Sequence, residues 1–362
     1  MGIRVLITCG GTGGHINPAL SIAEGILEVA PDAVVEFCGR EEGLEGDLIP
    51  KKGYVFHSIR AAAFPSRPSR KMFRALSAFR MGRRMAAQVI RDFRPNVVVG
   101  TGGFVCGPLL SAAAKAGIPF VIHEQNALPG RANRLFSKKA AVVCTGFPGM
   151  ETAFPKAKRV VYTGNPVRRS FFEAERESSR AVLDIACDVF FLLAIGGSLG
   201  SASINQAVLE LGQRSFDGKV KIVLSGGKQQ FKDIKENAEA GCVEVVEYID
   251  DPAVYMAAAD LCVCRSGALT CAEITAVGAA SLMVPYPHAA GDHQTYNAKK
   301  LAKSGAGMIL PDSELSADSL HELVGSLMCD GGKLAKIRAA AKDLATRDVA
   351  EQVAREIVAL VK

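Results

Sequence analysis

Long apolar runs are missing from this 362-residue chain. Runs such as Val97–Val99 and the seven-residue Val189–Ile195 fall far short of the ~18 residues that span a bilayer. The opening Met1-Gly-Ile-Arg-Val-Leu-Ile-Thr8 has no basic segment followed by an apolar stretch, so no signal peptide is expected and the chain is expected to stay in the cytoplasm. Aromatic residues make up only 6%, and no helix-turn-helix, RNA-recognition or zinc module is visible, which ranks nucleic acid low as a partner. There is no HExxH pair, and Cys262-Val-Cys264 with Cys271 lacks zinc-ribbon spacing, so no metal site is expected. The absence of GxxxxGK[ST] argues against an NTPase. GxGxxG is not met either, since Gly11-Thr-Gly-Gly14 is followed by Ile at position 16, which argues against a nicotinamide-dependent dehydrogenase. Ten cysteines are spread from Cys9 to Cys329, mostly in apolar segments, and read as free buried thiols.

What is present is a globular composition, 49% apolar and 22% charged, long enough for two domains. Arg4–Cys9 is an apolar run ending in Gly10-Gly-Thr-Gly-Gly14, and helical periodicity follows over Pro18–Leu27. This reads as strand, glycine loop, helix. Further strands are expected at Ala33–Cys38, Val97–Val99, Phe120–Ile122 and Ala141–Cys144, with a second glycine turn at Gly100–Gly103 and a helix over Pro108–Ala116. After the turn-rich Thr163–Arg168 the pattern restarts. Phe190–Ile195 runs into Gly196-Gly-Ser-Leu-Gly200, and Val220–Leu224, Val243–Val246, Leu261–Cys264, Ser281–Val284 and Met308–Leu310 read as strands between helices. Lys333–Val361 reads as helix. The expected class is α/β, with two Rossmann-like doubly wound parallel-sheet domains, a cleft between them, and ligands beyond the carboxyl ends of the strands. The expected domains are 1–163 and 164–343, with a C-terminal helix at 344–362 packing back on the N-terminal domain.

Charge divides the same way. Residues 1–165 hold 22 Lys and Arg against 11 Asp and Glu, a net of +11, whereas 166–362 hold 21 against 26, a net of −5. A basic half beside an acidic one points to an anionic partner for the first.

Several constellations carry chemistry. Glycine loops let the backbone approach a ligand, and the helix that follows offers amides to an anion, although plain βα turns would look alike. His15, at a helix start above the strand ends, either takes a proton from a hydroxyl nucleophile or caps the turn. His123-Glu-Gln-Asn126 places four polar side chains at the end of a buried strand, which is costly unless they face solvent or a ligand. Arg265-Ser-Gly-Ala-Leu-Thr270 can bring amides to a diphosphate. Glu273, one helical turn on, either accepts from two ribose hydroxyls or is simply favoured by the helix dipole. Gln294, in the polar loop from Pro285, suits a sugar hydroxyl. His288 and His293 share no helix face and predict no metal. Finally, Arg60–Arg94 holds ten Lys and Arg, one acid, and interleaved Met72, Phe73, Leu76, Phe79 and Met81. This reads as an amphipathic stretch for an anionic membrane surface, or as a solvated helix with an ordinary core stripe.

In order, GGTGGHINPAL (10–20), GTGGFVCGP (100–108), HEQNALPGRANR (123–134), TGNPVR (163–168), GGSLGSASIN (196–205), RSGALTCAEI (265–274) and PYPHAAGDHQTYNA (285–298) closely resemble the MurG family of bacterial N-acetylglucosaminyltransferases, glycosyltransferase family 28. The resemblance spans nearly the whole chain. It implies the GT-B fold and transfer of GlcNAc from UDP-GlcNAc to the C4 hydroxyl of MurNAc in undecaprenyl-diphosphate-MurNAc-pentapeptide (lipid I), giving lipid II and UDP for peptidoglycan. The reaction inverts in one displacement and requires no cofactor. The resemblance assigns UDP-GlcNAc to Thr12, Gly13, Gly14, Asn126, Arg168, Ser198, the backbone of Ile249, Ala268, Leu269, Thr270, Cys271, Ala272, Glu273 and Gln294. It assigns the acceptor diphosphate to Gly13, Gly14, Gly102 and Gly103. His15 becomes the candidate general base, with Glu124 next in line. The basic stretch matches the family's membrane-facing patch, which implies a peripheral enzyme on the cytoplasmic face of the plasma (inner) membrane, in the company of cell-wall and division machinery.

Leu199 stands where other members often carry Gln, with little effect expected. Cys106 and Cys271 lie inside site motifs and predict sensitivity to thiol reagents. A UDP-GlcNAc 2-epimerase on the same fold is the alternative, but it needs no membrane-facing patch. A non-catalytic membrane-bound protein would not need three glycine loops together with His15 and Glu273.

Overall fold

The apolar runs become two all-parallel sheets in the computed structural model, which describes residues 2–65, 67, 69–197, 199–214, 216, 218–237 and 243–361. The chain divides into two compact units, Met1–Pro166 with Asp348–Lys362, and Val167–Arg347.

The first unit runs β1 (Arg4–Thr8), α1 (Gly13–Val29), β2 (Val34–Gly39), α2 (Leu44–Lys51), β3 (Phe56–Ser58), α3 (Arg70–Phe93), β4 (Val97–Gly100), α4 (Cys106–Ala116), β5 (Phe120–Glu124), α5 (Arg131–Phe136), β6 (Val142–Thr145) and β7 (Val160–Tyr162). Its strand order is β3-β2-β1-β4-β5-β6-β7. Leu6 in β1 lies opposite Glu36 of β2 on one side and Val98 of β4 on the other. Val5–Thr8 and Val97–Gly100 are buried throughout, as parallel strands covered on both faces must be.

The second unit runs α6 (Ser170–Glu173), α7 (Arg176–Val182), β8 (Phe190–Ile195), α8 (Ala202–Leu211), β9 (Val220–Ser225), α9 (Phe231–Asn237), β10 (Val243–Val246), α10 (Pro252–Ala258), β11 (Leu261–Cys264), α11 (Ala268–Val277), β12 (Ser281–Met283), α12 (His293–Lys303), β13 (Met308–Ile309), α13 (Ala317–Cys329) and α14 (Gly331–Asp343). Its order is β10-β9-β8-β11-β12-β13. Each sheet therefore reverses its winding once, between β1 and β4 and between β8 and β11. The crevice at the carboxyl ends of such a strand pair is where ligands sit in doubly wound sheets. In the first unit it receives the loops at 10–14 and 100–103, and in the second those at 196–200 and 265–267.

Two edge strands, β3 and β7, go beyond the expected set. Each has three residues and none is fully buried. The expected continuous helix at Lys333–Val361 is broken. α14 ends at Asp343, and a new helix, α15 (Val349–Ala359), starts behind Asp348, whose φ of 55° is left-handed. Leu334 and Ile337 of α14 join the core of the second unit, while Val349, Val353, Ala354 and Ile357 of α15 join that of the first against α1.

Candidate active site

In the first unit the helix begins earlier than its periodicity indicates. Gly13 and Gly14 are already helical, Thr12 is the N-cap, and His15 lies in the first turn. The first amides of a helix have no partner within it, so Gly13 and Gly14 present theirs at the crevice. The two glycine loops interlock around His15. A Cβ on Gly103 would lie 2.3 Å from Gly10 O, and one on Gly102 would lie 2.8 Å from His15 Cδ2. Both glycines have left-handed φ, +110° and +84° for Gly102 and Gly103. Thr101 Oγ1 donates to His15 O at 2.8 Å, tying the second loop to the first. His15 Nδ1 lies 3.2 Å from Gly10 O and 3.3 Å from Thr12 Oγ1. A carbonyl only accepts, so Nδ1 carries the proton and the basic lone pair is on Nε2.

The HEQN stretch behaves otherwise than expected. His123, Glu124 and Gln125 are buried, and only Asn126 is half-exposed. Internal partners meet most of the cost of burying them, although Gln125 Oε1 has none. His123 Nε2 donates to Gly164 O at 3.0 Å, and its Nδ1 accepts from Gln125 Nε2 at 2.9 Å. Burial pushes this imidazole down to about 4, keeping it neutral. The Glu124 carboxylate accepts from Asn126 N (3.0 Å), Asn126 Nδ2 (3.3 Å), Gly130 N (2.9 Å) and Asn133 Nδ2 (2.9 Å). Burial raises its carboxyl, and these hydrogen bonds pull it back. Both carboxylate oxygens of Glu124 thereby tie the 124–133 turn together. Asn133, to which the sequence assigned no role, connects that turn to the His15 crevice, since its Nδ2 lies 3.4 Å from a Cβ built on Gly102.

In the second unit, α11 starts at Ala268 behind Gly267, with no side-chain cap, so the amides of Leu269 and Thr270 are left for a ligand. Cys271 is buried, Ala272 and Glu273 are half-buried, and Arg168 is exposed. Burial pushes the Glu273 carboxyl up to about 7, with Arg168 drawing it back, so the fold brings those two together. Gln294 opens α12. Its Oε1 accepts from Tyr286 N at 2.9 Å, which leaves Nε2 as the donating end, and its backbone O accepts from Ser266 Oγ at 2.9 Å. Ile249 has its side chain in the core, so only its backbone can meet a ligand. Ser198 lies outside the described residues, and Leu199 beside it is 58% exposed. Arg265 had no assigned role, and it clasps the site. It donates to Ser201 Oγ (2.7 Å), Ser203 Oγ (2.8 Å), Asp312 Oδ1 (2.6 Å) and the carbonyls of Val284 and Pro285. One buried guanidinium thereby joins the third glycine loop to the loop after β12.

Nine described cysteines are free, seven of them buried. The expected thiol sensitivity of Cys106 and Cys271 does not fit. Both are buried, and desolvation pushes each up to about 12, so neither offers a thiolate. Among the described residues no three His, Cys, Asp or Glu side chains gather to hold a metal ion.

Two family models match: the glycosyltransferase family 28 N-terminal domain over residues 5–145 and the C-terminal domain over 191–353. A UDP-N-acetylglucosamine–N-acetylmuramyl-(pentapeptide) pyrophosphoryl-undecaprenol N-acetylglucosamine transferase of Desulforudis audaxviator is 43% identical over 94% of each chain. The chain belongs to the MurG family. Another member, from Acetivibrio thermocellus, is 36% identical over 97% of this chain and 96% of its own. The crystal structure of Acinetobacter baumannii MurG superposes with a TM-score of 0.82 at 29% identity, covering 99% of both chains. The calicheamicin glycosyltransferase CalG4 shares the fold, with a TM-score of 0.72 at 15% identity. MurG relatives and GT-B neighbours together make the two-sheet architecture that of a GT-B glycosyltransferase.

Proposed function

We propose that the chain transfers GlcNAc from UDP-GlcNAc to the C4 hydroxyl of MurNAc in lipid I, with inversion, giving lipid II and UDP. The geometry that carries this reading is a histidine held as its Nδ1–H tautomer among glycine-loop amides at one switch point. The relatives' shared transferase name supports the same substrates, and none of those named here is an epimerase. His15 Nε2 takes the proton of the acceptor hydroxyl. The oxygen attacks the anomeric carbon, and UDP departs with the bonding pair. The amides of Leu269 and Thr270 and the α11 dipole stabilise the charge gathering on the diphosphate. Glu273 accepts from the ribose hydroxyls and Gln294 Nε2 meets the sugar.

The test is transfer from radiolabelled UDP-GlcNAc to a lipid I analogue, with UDP counted in parallel. Disaccharide-lipid formed one-for-one with UDP is the expected result. UDP-ManNAc, or UDP without acceptor product, overturns it.

Donor binding should depend on pH. Glu273 is raised to about 7, so it is protonated below that and loses an acceptor for the ribose. UDP affinity is expected to fall by about tenfold per unit as pH drops below this value, and a Glu273→Gln variant should bind weakly with a flat profile. Titration calorimetry between pH 5.5 and 8.5 measures both, and a flat profile in the parent removes Glu273 from the site. The sign for folding is opposite. An acid raised in the folded state destabilises the ligand-free fold as pH climbs from its ordinary 4.5 through about 7.

The enzyme works peripherally at the cytoplasmic face of the membrane. All ten basic residues of Arg60–Arg94 are exposed, and Phe73 on α3 is 77% exposed beside Arg70 and Arg74. No helix among the described residues is long and apolar enough to cross a membrane. At ~1 kcal/mol for each basic residue near an anionic surface, half of this set suffices for reversible attachment. Co-sedimentation with phosphatidylglycerol vesicles, lost at high salt and absent with phosphatidylcholine, is the expected result. Equal binding to both overturns the attachment.

A further inference from the structure

Glu45 has no exposed surface, yet it brings a carboxyl group beneath the first glycine loop. Its Oε1 accepts from Arg40 N at 3.3 Å and its Oε2 from Gly11 N at 3.2 Å. Three glycines make room for it. A Cβ on Gly10 would lie 2.4 Å from Oε1, one on Gly43 2.5 Å from both carboxylate oxygens, and one on Gly39 2.9 Å from Cγ.

The peptide unit that joins Gly10 to Gly11 is bonded at both ends. Its N–H, on Gly11, points to Glu45. Its C=O, on Gly10, accepts from Nδ1 of His15 at 3.2 Å. We propose that Glu45 is a positioning residue for His15, the acid of a carboxylate–peptide–imidazole relay in which one peptide unit stands between acid and base. This rests on the reading of His15 as the base. The carboxylate pulls on the Gly11 N–H and polarises the amide, which concentrates negative charge on Gly10 O. Hydrogen bonds in such a chain reinforce one another. Gly10 O then fixes the tautomer protonated on Nδ1 and stabilises the imidazolium that forms when Nε2 takes the hydroxyl proton. The acid stays behind the loop, away from the diphosphates that the loop amides receive, so it helps the base without repelling the substrates.

The other titratable groups around the relay come from four elements. Cys9 follows β1 and Cys106 lies on α4; burial raises both thiols and keeps them neutral. Arg40 follows β2, with its guanidinium over the Phe104 ring and 4.0 Å from Glu42. Glu124 stands behind Asn133, to which it is bonded at 2.9 Å.

The experiment compares the pH dependence of kcat in the parent and in Glu45→Gln, which keeps an acceptor but loses the charge. The rising limb of the parent reports deprotonation of His15. In Glu45→Gln its midpoint is expected to fall by about one unit, a tenfold loss of proton affinity, with the KM for UDP-GlcNAc unchanged. A lower kcat with an unmoved midpoint means that Glu45 only supports the loop, and the relay is wrong. The unmodified protein gives a second reading that does not depend on the variant folding. In ¹⁵N-histidine spectra, the signals lost in His15→Gln should show the Nδ1–H tautomer above the midpoint, and an Nε2–H tautomer overturns the relay. If His15→Gln turns over at the parent rate, the base reading itself fails. If it is inactive while Glu45→Gln keeps the parent midpoint, only the relay fails.

Discussion

With His15 replaced by alanine, turnover is expected to fall by about 10²–10⁴-fold, the usual worth of a positioned base. Donor binding should hold, because the ribose and diphosphate groups proposed here, Glu273 and the α11 amides, belong to the other unit. Alanine also removes the ring that fills the space between the two glycine loops. The paired measurement is therefore kcat from the transfer assay beside the dissociation constant of UDP from calorimetry. Turnover at the parent rate takes the base role away from His15. A matching loss of UDP affinity makes the residue a binding group instead.

Gly103→Ala is the second large effect. Gly103 has φ of +84°, and its added Cβ would meet Gly10 O at 2.3 Å. Both partners are backbone, so no side chain can swing aside. The left-handed strain alone costs about 1–3 kcal/mol. The clash must also push apart the loops that seat His15, and a misplacement of about 1 Å at a reacting group costs ~10²-fold in rate. Loss of about 100-fold in kcat is expected, with UDP binding unchanged. Gly117→Ala is the control. Its φ of +74° is equally left-handed, but nothing lies within 4 Å of the new Cβ, so it should lower the melting temperature and leave kcat alone. Equal activity in the two variants means that the loop interlock has no part in the rate.

Most of the sheets were legible in the sequence because parallel strands buried on both faces leave continuous apolar runs, such as Phe190–Ile195. β3 and β7 were not: each is a three-residue edge strand without a fully buried side chain, and in β3 polar His57 and Ser58 break the run. His15, Glu273 and Gln294 could be singled out because each follows a strand end or opens a helix, positions that chain order reveals. Arg265 and Glu45 could not. Their partners, Ser201 and Asp312 for one and Gly11 for the other, meet only once the sheet has assembled. Glu45 is further disguised by its neighbours, since Glu41, Glu42 and Asp47 are all exposed. The burial of the HEQN stretch was hidden for a related reason. Glu124 and His123 find Gly130, Asn133 and Gly164, partners that no spacing rule identifies.

The return of α15 to the first unit has a consequence for how the protein is made. Val349, Val353, Ala354 and Ile357 complete the apolar face of α1, and Gly25 is bare so that Ala350 can come close, a Cβ there lying 2.6 Å from its carbonyl. The ribosome must therefore deliver the 181 residues of Val167–Arg347 before the first core can be finished. At about 5–20 residues per second, that leaves the apolar stripe of α1 uncovered for roughly 10–35 s. Any product cut short before Val349 keeps it uncovered for good. Helix α15 thus closes the first core late, and a nascent chain without it presents a hydrophobic surface on which chaperones and proteases can act.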